Sequence, residues 1–133
     1  MPARDLALLT DAAREAGRIA MRYWRKDPQV WDKGGEHGPV TEADLAVNDM
    51  LKAKLLAARP DYGWLSEESV DDDSRLGKEL VWIVDPIDGT RAYLAGREDW
   101  CVSVALVAGS TPVLAAVFAP FSDEFYFAMR GQG

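Results

Sequence analysis

The sequence has very few of the residues that form sulphur- or nitrogen-ligated sites. Cys101 is the only cysteine and His37 is the only histidine among the 133 residues. A disulfide framework and a thiolate metal cluster are therefore excluded. A zinc site with paired histidines within this chain is excluded because there is a single histidine. The carboxylates become the first candidates for chemistry.

Positive charge and long apolar runs are also scarce. Lysine and arginine total 15 against 22 acidic residues, and the net charge is −7. This balance argues against binding to nucleic acid polymers or anionic membranes, which require a basic face, and suits a protein that binds cations. No apolar run approaches the length of about 20 residues that spans a membrane. Because Asp5, Asp11 and Glu15 interrupt the apolar residues near the N-terminus, no secretory segment is predicted there. We therefore expect a cytoplasmic protein.

Helical periodicity dominates the first part of the chain. Apolar residues recur at helical spacing over residues 3–26, which predicts a helix that ends before Asp27. A glycine-rich stretch at 34–39 predicts a loop. Thr41 then begins a second helix, which ends just before Pro60.

From residue 62 onwards the pattern changes to short apolar runs typical of strands. The run at 79–84 is nearly all apolar and is therefore expected to be buried on both faces. A turn is predicted at 85–90, followed by a short helical or irregular stretch to about Gly96. The predicted strands are 62–66, 79–84, 101–107, 112–119 and 124–129. The fold class is α+β, with two N-terminal helices packed on a mainly antiparallel sheet.

Residues 80–90, Leu-Val-Trp-Ile-Val-Asp-Pro-Ile-Asp-Gly-Thr, carry the strongest chemical signal. Asp85 and Asp88 lie close together at the end of an apolar strand, which is costly unless a cation lies between them. Gly89 and Thr90 then begin a helical turn, and the backbone N–H groups at a helix start bind anions. The sequence therefore predicts a metal site beside a phosphate site.

Two further acids are expected to join this site. Asp44 lies in the first turn of the second helix, and Glu67 follows the strand at 62–66. If the strands at 62–66 and 79–84 are neighbours, Glu67 and Asp85 emerge at the same sheet edge. Such a set of oxygen ligands suits Mg²⁺. The acidic run Asp71–Asp73 is instead expected to be a solvated loop.

Simpler interpretations remain for the same residues. The spacing of Thr41 and Asp44 is also a helix-capping pattern, and an Asp-Pro…Asp-Gly segment also forms turns. A phosphate loop of the Walker type lacks its lysine here. A haloacid dehalogenase-like enzyme would use Asp85 as a covalent nucleophile. That family's aspartates are two residues apart, whereas Asp85 and Asp88 are three apart with Pro86 between them.

Three motifs in order resemble the inositol monophosphatase family over nearly the whole chain. They are Pro39-Val-Thr-Glu-Ala-Asp44, Ser66-Glu-Glu-Ser69 and Trp82-Ile-Val-Asp-Pro-Ile-Asp-Gly-Thr90. The resemblance implies a Mg²⁺-dependent, lithium-sensitive phosphomonoesterase with an αβαβα sandwich. Family members are about twice this length, and the glycine-rich end at Arg130–Gly133 falls where their first half passes into the second. The resemblance therefore implies that residues 1–133 are an N-terminal half without its C-terminal half.

The resemblance also assigns metal ligands. Glu67, Asp85 and the Ile87 carbonyl would bind a first Mg²⁺, and Asp85 and Asp88 would help to bind a second. The complete site would hold two or three ions, with another aspartate supplied by the missing half. In the family the loop that here contains Lys33 and His37 lies near a third metal, although solvent-exposed loop positions are the simpler expectation for both.

The remaining assignments concern phosphate and water. Gly89 and Thr90 would bind the phosphate through backbone N–H groups. The Thr90 hydroxyl and Asp44 would orient the attacking water beside Glu67, and these three residues are the predicted catalytic set. The substrate would be a small phosphate monoester, either an inositol phosphate or 3′-phosphoadenosine 5′-phosphate.

A non-catalytic alternative follows from the same incompleteness. The chain could be a truncated metal- and phosphate-binding module, which would bind both ligands without turnover. Helices from the first third of the chain alone would leave one sheet face uncovered. Because large exposed apolar patches seldom stay bare, we expect self-association, with a homodimer as the simplest form.

Overall fold

The computed structural model describes residues 2–26, 30–32, 39–68 and 75–130. The predicted loop at 34–39, apart from Pro39, lies outside these ranges. Lys33, His37 and the acidic run Asp71–Asp73 also lie outside the described residues.

Three helices and seven strands make up the described part of the chain. In chain order they are α1 (Pro2–Tyr23), β1 (Val30–Asp32), β2 (Pro39–Thr41), α2 (Glu42–Ala58), β3 (Gly63–Ser66), β4 (Leu80–Asp88), α3 (Thr90–Leu94), β5 (Cys101–Ala108), β6 (Thr111–Ala119) and β7 (Glu124–Met129). The main sheet has the order β3-β4-β5-β6-β7, in which only β3 and β4 run parallel. The predicted α+β class with a mainly antiparallel sheet is confirmed. The small β1–β2 pair was not predicted.

The first helix has the predicted apolar face but ends earlier than expected. Leu9, Ala16 and Ala20 are fully buried, and α1 packs over β5 and β6. A Cβ added at Gly17 would lie 2.4 Å from the Phe118 ring, so glycine allows the close approach of α1 to β6. The helix stops at Tyr23 because Arg25 adopts a left-handed backbone conformation with φ +60°.

The second helix begins and ends where the sequence predicts. Thr41 is its N-cap and Arg59 its C-cap, just before Pro60. The side chains of Val47 and Leu51 are fully buried. They join the core that α1 and α2 form with one face of the sheet, so α2 lies directly over β4.

A partly buried ion pair connects the two long helices at one end. The Asp5 side chain on α1 is 3% exposed, and it accepts hydrogen bonds from Arg59 Nε and the Tyr62 hydroxyl, each at 2.7 Å. The Tyr62 ring packs on Trp82 of β4, with centroids 5.6 Å apart. The C-terminal end of α2 is thereby held against both α1 and the sheet.

The prediction that the apolar strand is buried on both faces is wrong. Trp82 and Val84 lie in the core with the helices, whereas Ile83, on the opposite face, is 40% exposed. Ile83 pairs with Ala105 of β5, and Tyr126 of β7 is 59% exposed on the same face. Within the described residues, α1 and α2 cover only one side of the sheet.

Candidate active site

The parallel pairing of β3 with β4 brings two of the predicted site residues to one sheet edge. Ser66 lies opposite Val84 in the register of the two strands. The Glu67 N–H, one residue beyond β3, donates to the Val84 carbonyl at 3.3 Å. Glu67 therefore lies beside the point at which β4 reaches Asp85, and the expectation for neighbouring strands is confirmed.

The end of β4 differs from its prediction. The strand does not stop before a turn at 85–90 but continues to Asp88. Asp85 lies opposite Ser103 and Asp88 opposite Cys101, so β4 advances three residues while β5 advances two. This extra residue is a β-bulge. It lies between Asp85 and Asp88, a segment that includes Pro86, which has no N–H to donate to a strand ladder.

The bulge determines how the two aspartates face each other. In a regular strand, residues three apart point to opposite faces. Ser103 and Cys101 are two residues apart and share a face of β5, so their partners Asp85 and Asp88 share that face as well. One inserted residue thus brings the two carboxylates to the same side of the sheet.

A glycine turns the chain from β4 into α3. Gly89 is the N-cap of this helix, with φ +95° and ψ 41°. A Cβ at this position would lie 3.1 Å from the Asp99 carbonyl oxygen, so the site disfavours any side chain. The Tyr93 N–H closes the helix by donating to the Gly89 carbonyl at 2.9 Å. The N–H groups of the first turn, beginning at Thr90, have no partner within the helix.

Asp44 serves as a helix cap and also contacts the site. It is 1% exposed. Its Oδ2 accepts from the Thr41 backbone N–H at 2.8 Å and from the Thr41 hydroxyl at 2.7 Å. Its Oδ1 lies 3.2 Å from the Thr90 hydroxyl, which is also 3.1 Å from the Ile87 carbonyl oxygen. Capping and site interpretations of Asp44 are therefore compatible, since its two oxygens have different partners.

Burial and the surrounding acids raise the pKa of Asp85, near the end of β4. Burial is the largest cause, and together with the charges of nearby acids it raises the pKa of Asp85 to about 6. The negative charges that add to this effect belong to Asp88, Glu67, Asp44 and Glu68. Burial, followed by the charges of Asp88 and Asp85, also raises the pKa of the Cys101 thiol to about 11. The carboxylates are thus close enough to repel one another.

The oxygen atoms near the end of β4 are of the type that binds a hard divalent cation, but they do not form a complete coordination shell. Carboxylate oxygens and a backbone carbonyl such as that of Ile87 are ligands that Mg²⁺ accepts. The raised pKa of Asp85 marks negative charge that a cation would neutralise. In residues 2–26, 30–32, 39–68 and 75–130, however, no three acidic, cysteine or histidine side chains have the geometry to hold a metal ion.

A cleft beside Asp88 and Gly89 offers room for a small molecule. Its volume is about 390 Å³, and its lining includes Glu98, Trp100 and Glu124. Volumes of this order are typical of small-ligand sites. The cleft opens next to the residues that were predicted to bind metal and phosphate.

Sequence reasoning missed a buried polar pair next to the site. Ser66 donates its hydroxyl hydrogen to Asn48 Oδ1 at 2.5 Å, and both side chains are buried. The only signal in the sequence was that Asn48 follows Asp44 by four residues, the spacing of one helix face.

Comparison with known proteins agrees with this architecture. Residues 2–133 match the model of the inositol monophosphatase family. Inositol monophosphatase 1 of Solanum lycopersicum is 34% identical over 130 residues, which cover 96% of this chain and 47% of that protein. The 3′(2′),5′-bisphosphate nucleotidase CysQ of Aggregatibacter actinomycetemcomitans is 35% identical over 138 residues, covering 100% of this chain and 51% of that protein.

Solved structures agree with the fold. The extragenic suppressor protein suhB of Bartonella henselae matches with a TM-score of 0.88 and 32% identity, over 98% of this chain and 50% of that one. The chain belongs to the inositol monophosphatase family. It spans about half the length of the relatives it matches. No helix in the described ranges is both long and apolar enough to cross a membrane.

Proposed function

We propose that the chain carries the metal- and phosphate-binding part of a Mg²⁺-dependent phosphomonoesterase. Residues 1–133 would form the N-terminal half of that enzyme's domain. The observation that carries the proposal is the hydrogen-bonded group of Asp44, Thr90 and the Ile87 carbonyl beside the crowded carboxylate of Asp85. Membership of the family supports it.

The acids at the end of β4 would hold the ions. Glu67, Asp85 and the Ile87 carbonyl would bind a first Mg²⁺, and Asp85 and Asp88 would contribute to a second. Bound Mg²⁺ supplies positive charge that neutralises the phosphate oxygens and stabilises the charge that develops during hydrolysis. The mutual repulsion of the carboxylates supports this assignment, because a cation would relieve it.

The polar group on the other side would orient the water. When the Thr90 hydroxyl donates to Asp44 Oδ1, its oxygen lone pairs are free to accept a hydrogen bond from water. Glu67, an exposed carboxylate at the same sheet edge, would accept the proton that the water loses. The N–H groups of Gly89 and Thr90 would bind the phosphate.

The substrate would be a small phosphate monoester that enters the cleft beside Asp88. Inositol phosphates and 3′-phosphoadenosine 5′-phosphate are the two candidates. The relatives named for an inositol phosphatase and for a bisphosphate nucleotidase are 34% and 35% identical, so identity does not favour either. Lithium sensitivity, a cytoplasmic location and the lack of a nucleic acid polymer as partner belong to the same proposal.

A non-catalytic metal- and phosphate-binding module is the second candidate. The observation that favours it is that the chain spans about half the length of the relatives it matches. In this case the chain would bind Mg²⁺ and phosphate weakly and would not hydrolyse a monoester.

Metal titration and phosphate release test the proposal together. The 133-residue chain is titrated with Mg²⁺ by calorimetry and assayed with myo-inositol 1-phosphate and 3′-phosphoadenosine 5′-phosphate, with and without LiCl. Asp85→Asn should abolish turnover, while Asp49→Asn, which removes an exposed carboxylate from α2, should not.

Each outcome of that test has a distinct meaning. Mg²⁺ binding without turnover supports the module, and turnover that survives Asp85→Asn contradicts the enzyme proposal. If neither Mg²⁺ nor inorganic phosphate binds, both proposals fail. Label from H₂¹⁸O in an aspartyl side chain after a single turnover would instead show the covalent dehalogenase mechanism.

A further inference from the structure

Two buried polar side chains lie one turn apart on α2. Asp44 is 1% exposed and Asn48 is 3% exposed. Residues four apart in a helix share a face, and both side chains point from α2 toward the ends of the parallel strands. Asp44 contacts Thr90, after β4, at 3.2 Å, and Asn48 contacts Ser66, at the end of β3, at 2.5 Å. A single helix therefore contacts both strand ends that form the site.

Ser66 connects Asn48 to the turn that contains Glu67. Its hydroxyl donates to Asn48 Oδ1 and accepts from the Glu68 backbone N–H at 3.2 Å. A serine hydroxyl can do both at once, since it has one hydrogen and two lone pairs. Ser66 is 7% exposed, so water competes little for these bonds. The Glu67–Glu68 turn is thus hydrogen-bonded to α2 through one buried hydroxyl.

We propose that Asn48, acting through Ser66, is a positioning residue for Glu67. In this arrangement Asp44 fixes the Thr90 hydroxyl and Asn48 fixes the turn of Glu67, so the first two turns of α2 set the separation of the two groups. The consequence for metal binding rests on the proposed function, in which Glu67 is a ligand. The hydrogen-bonding consequence does not rest on it.

The choice of an amide at this position has a physical reason. Asp85 is already surrounded by several negative charges. A carboxylate at position 48 would accept the Ser66 hydrogen bond equally well but would add another charge near them. Asparagine provides the acceptor without the charge.

Amide exchange in the metal-free chain tests the positioning directly. NMR measures hydrogen exchange at the Glu68 N–H in Asn48→Leu, which keeps the side-chain size, and in Ser66→Ala. Loss of one buried hydrogen bond should accelerate exchange at this amide by about 10-fold. Asn48→Asp keeps the acceptor and should retain protection at Glu68. Asp49→Asn, the exposed neighbour, is the matched control.

A second measurement follows the metal. If the wild-type chain binds Mg²⁺, the dissociation constant should rise by about 10-fold in Asn48→Leu and Ser66→Ala, as is typical when the partners of a ligand are removed. If the wild-type chain binds no Mg²⁺, the metal part of the proposed function fails, and the exchange experiment alone decides the role of Asn48.

The proposal is overturned by either of two exchange results. The first is that the Glu68 N–H of the Asn48→Leu variant exchanges at the same rate as in the wild type. The second is an equal acceleration at all amides of the chain, which would mean that the substitution lowers global stability and does not act on this turn. Unchanged Mg²⁺ affinity in a variant with accelerated exchange would refute the link to Glu67.

Discussion

Replacing Asp85 by asparagine should stabilise the metal-free protein. Asp85 lies on β4 among several acids, and its pKa rises from 3.8 to about 6 because of burial and then because of these charges. A raised pKa means that the folded state disfavours the ionised carboxylate. Asparagine has nearly the same shape and no charge, so the variant avoids this cost.

The magnitude and pH range follow from the same pKa. A rise from 3.8 to about 6 corresponds to about 3 kcal/mol, because one pKa step is worth about 1.4 kcal/mol. Asp85 is only partly buried, so screening by solvent reduces the expected effect to about 2 kcal/mol. Below pH 3.8 the Asp85 carboxyl is protonated in both the folded and the unfolded protein, so it does not lower the free energy of unfolding. As the pH rises from 3.8 to about 6, the carboxyl ionises more readily in the unfolded protein, and the free energy of unfolding falls. The advantage of Asp85→Asn should therefore be complete above about pH 6 and absent below about pH 4.

Thermal unfolding and urea unfolding, both with EDTA and at pH 4 and pH 8, measure this difference as a Tm and as a free energy of unfolding. At pH 8 the Tm of Asp85→Asn should exceed that of the wild type by about 5 °C or more. Asp49→Asn removes a carboxylate from an exposed position on α2, and its free energy of unfolding should change by less than about 0.5 kcal/mol. The reasoning is refuted if Asp85→Asn is less stable than the wild type at pH 8. An advantage equal at both pH values would refute it too.

Three further substitutions test other parts of the structure. Gly89→Ala should lower the free energy of unfolding by about 1–2 kcal/mol, because φ is +95° and the new Cβ would lie 3.1 Å from the Asp99 carbonyl oxygen. Urea denaturation measures this change, and a variant as stable as the wild type would contradict it. Arg59→Met should destabilise by about 3 kcal/mol because the buried Asp5 carboxylate loses its ion pair, as thermal unfolding near neutral pH would show. On the open sheet face, Ile83 is 40% exposed, so the chain should bind an apolar dye and self-associate in sedimentation. Ile83→Lys should weaken both, and a dye-silent wild-type monomer would contradict this expectation.

The helices could be predicted well because their apolar spacing reflects a single buried face. Leu9, Ala16, Val47 and Leu51 were all at helical spacing, and all are fully buried. The end of α1 could not be predicted, since the left-handed conformation of Arg25 occurs at a residue type with no preference for it. The β1–β2 pair was missed because three-residue strands are too short for a periodic signal.

The burial of β4 could not be read from its composition. An apolar run shows that its residues tolerate burial, but the layers that cover them belong to other segments. In the described residues the helices cover only the side of Trp82 and Val84, which leaves Ile83 partly exposed. The bulge between Asp85 and Asp88 could not be predicted either, because a proline between two acids predicts a turn as readily as an irregular strand.

The site was easier to locate than to explain. The positions of Glu67 and Asp85 at strand ends predict that they meet at one edge if the two strands are neighbours, and the parallel pairing of β3 and β4 meets that condition. The hydrogen bond between Asn48 and Ser66 depends on how α2 crosses the sheet. Neither residue type nor spacing specifies that crossing, so this contact needed the structure.

The arrangement separates the groups that define the site's geometry from the groups that provide its charge. The acids around Asp85 repel one another in the absence of a cation, so they cannot hold the site together. The hydrogen bonds of Asp44 with Thr90 and of Asn48 with Ser66 join α2 to the strand ends without needing metal. A cation would then bind to carboxylates that the fold already brings close, and part of its binding energy would come from relieving their repulsion. Metal affinity and metal-free stability should therefore change in opposite directions when Asp85 is neutralised, whereas loss of the Asn48–Ser66 hydrogen bond should lower both.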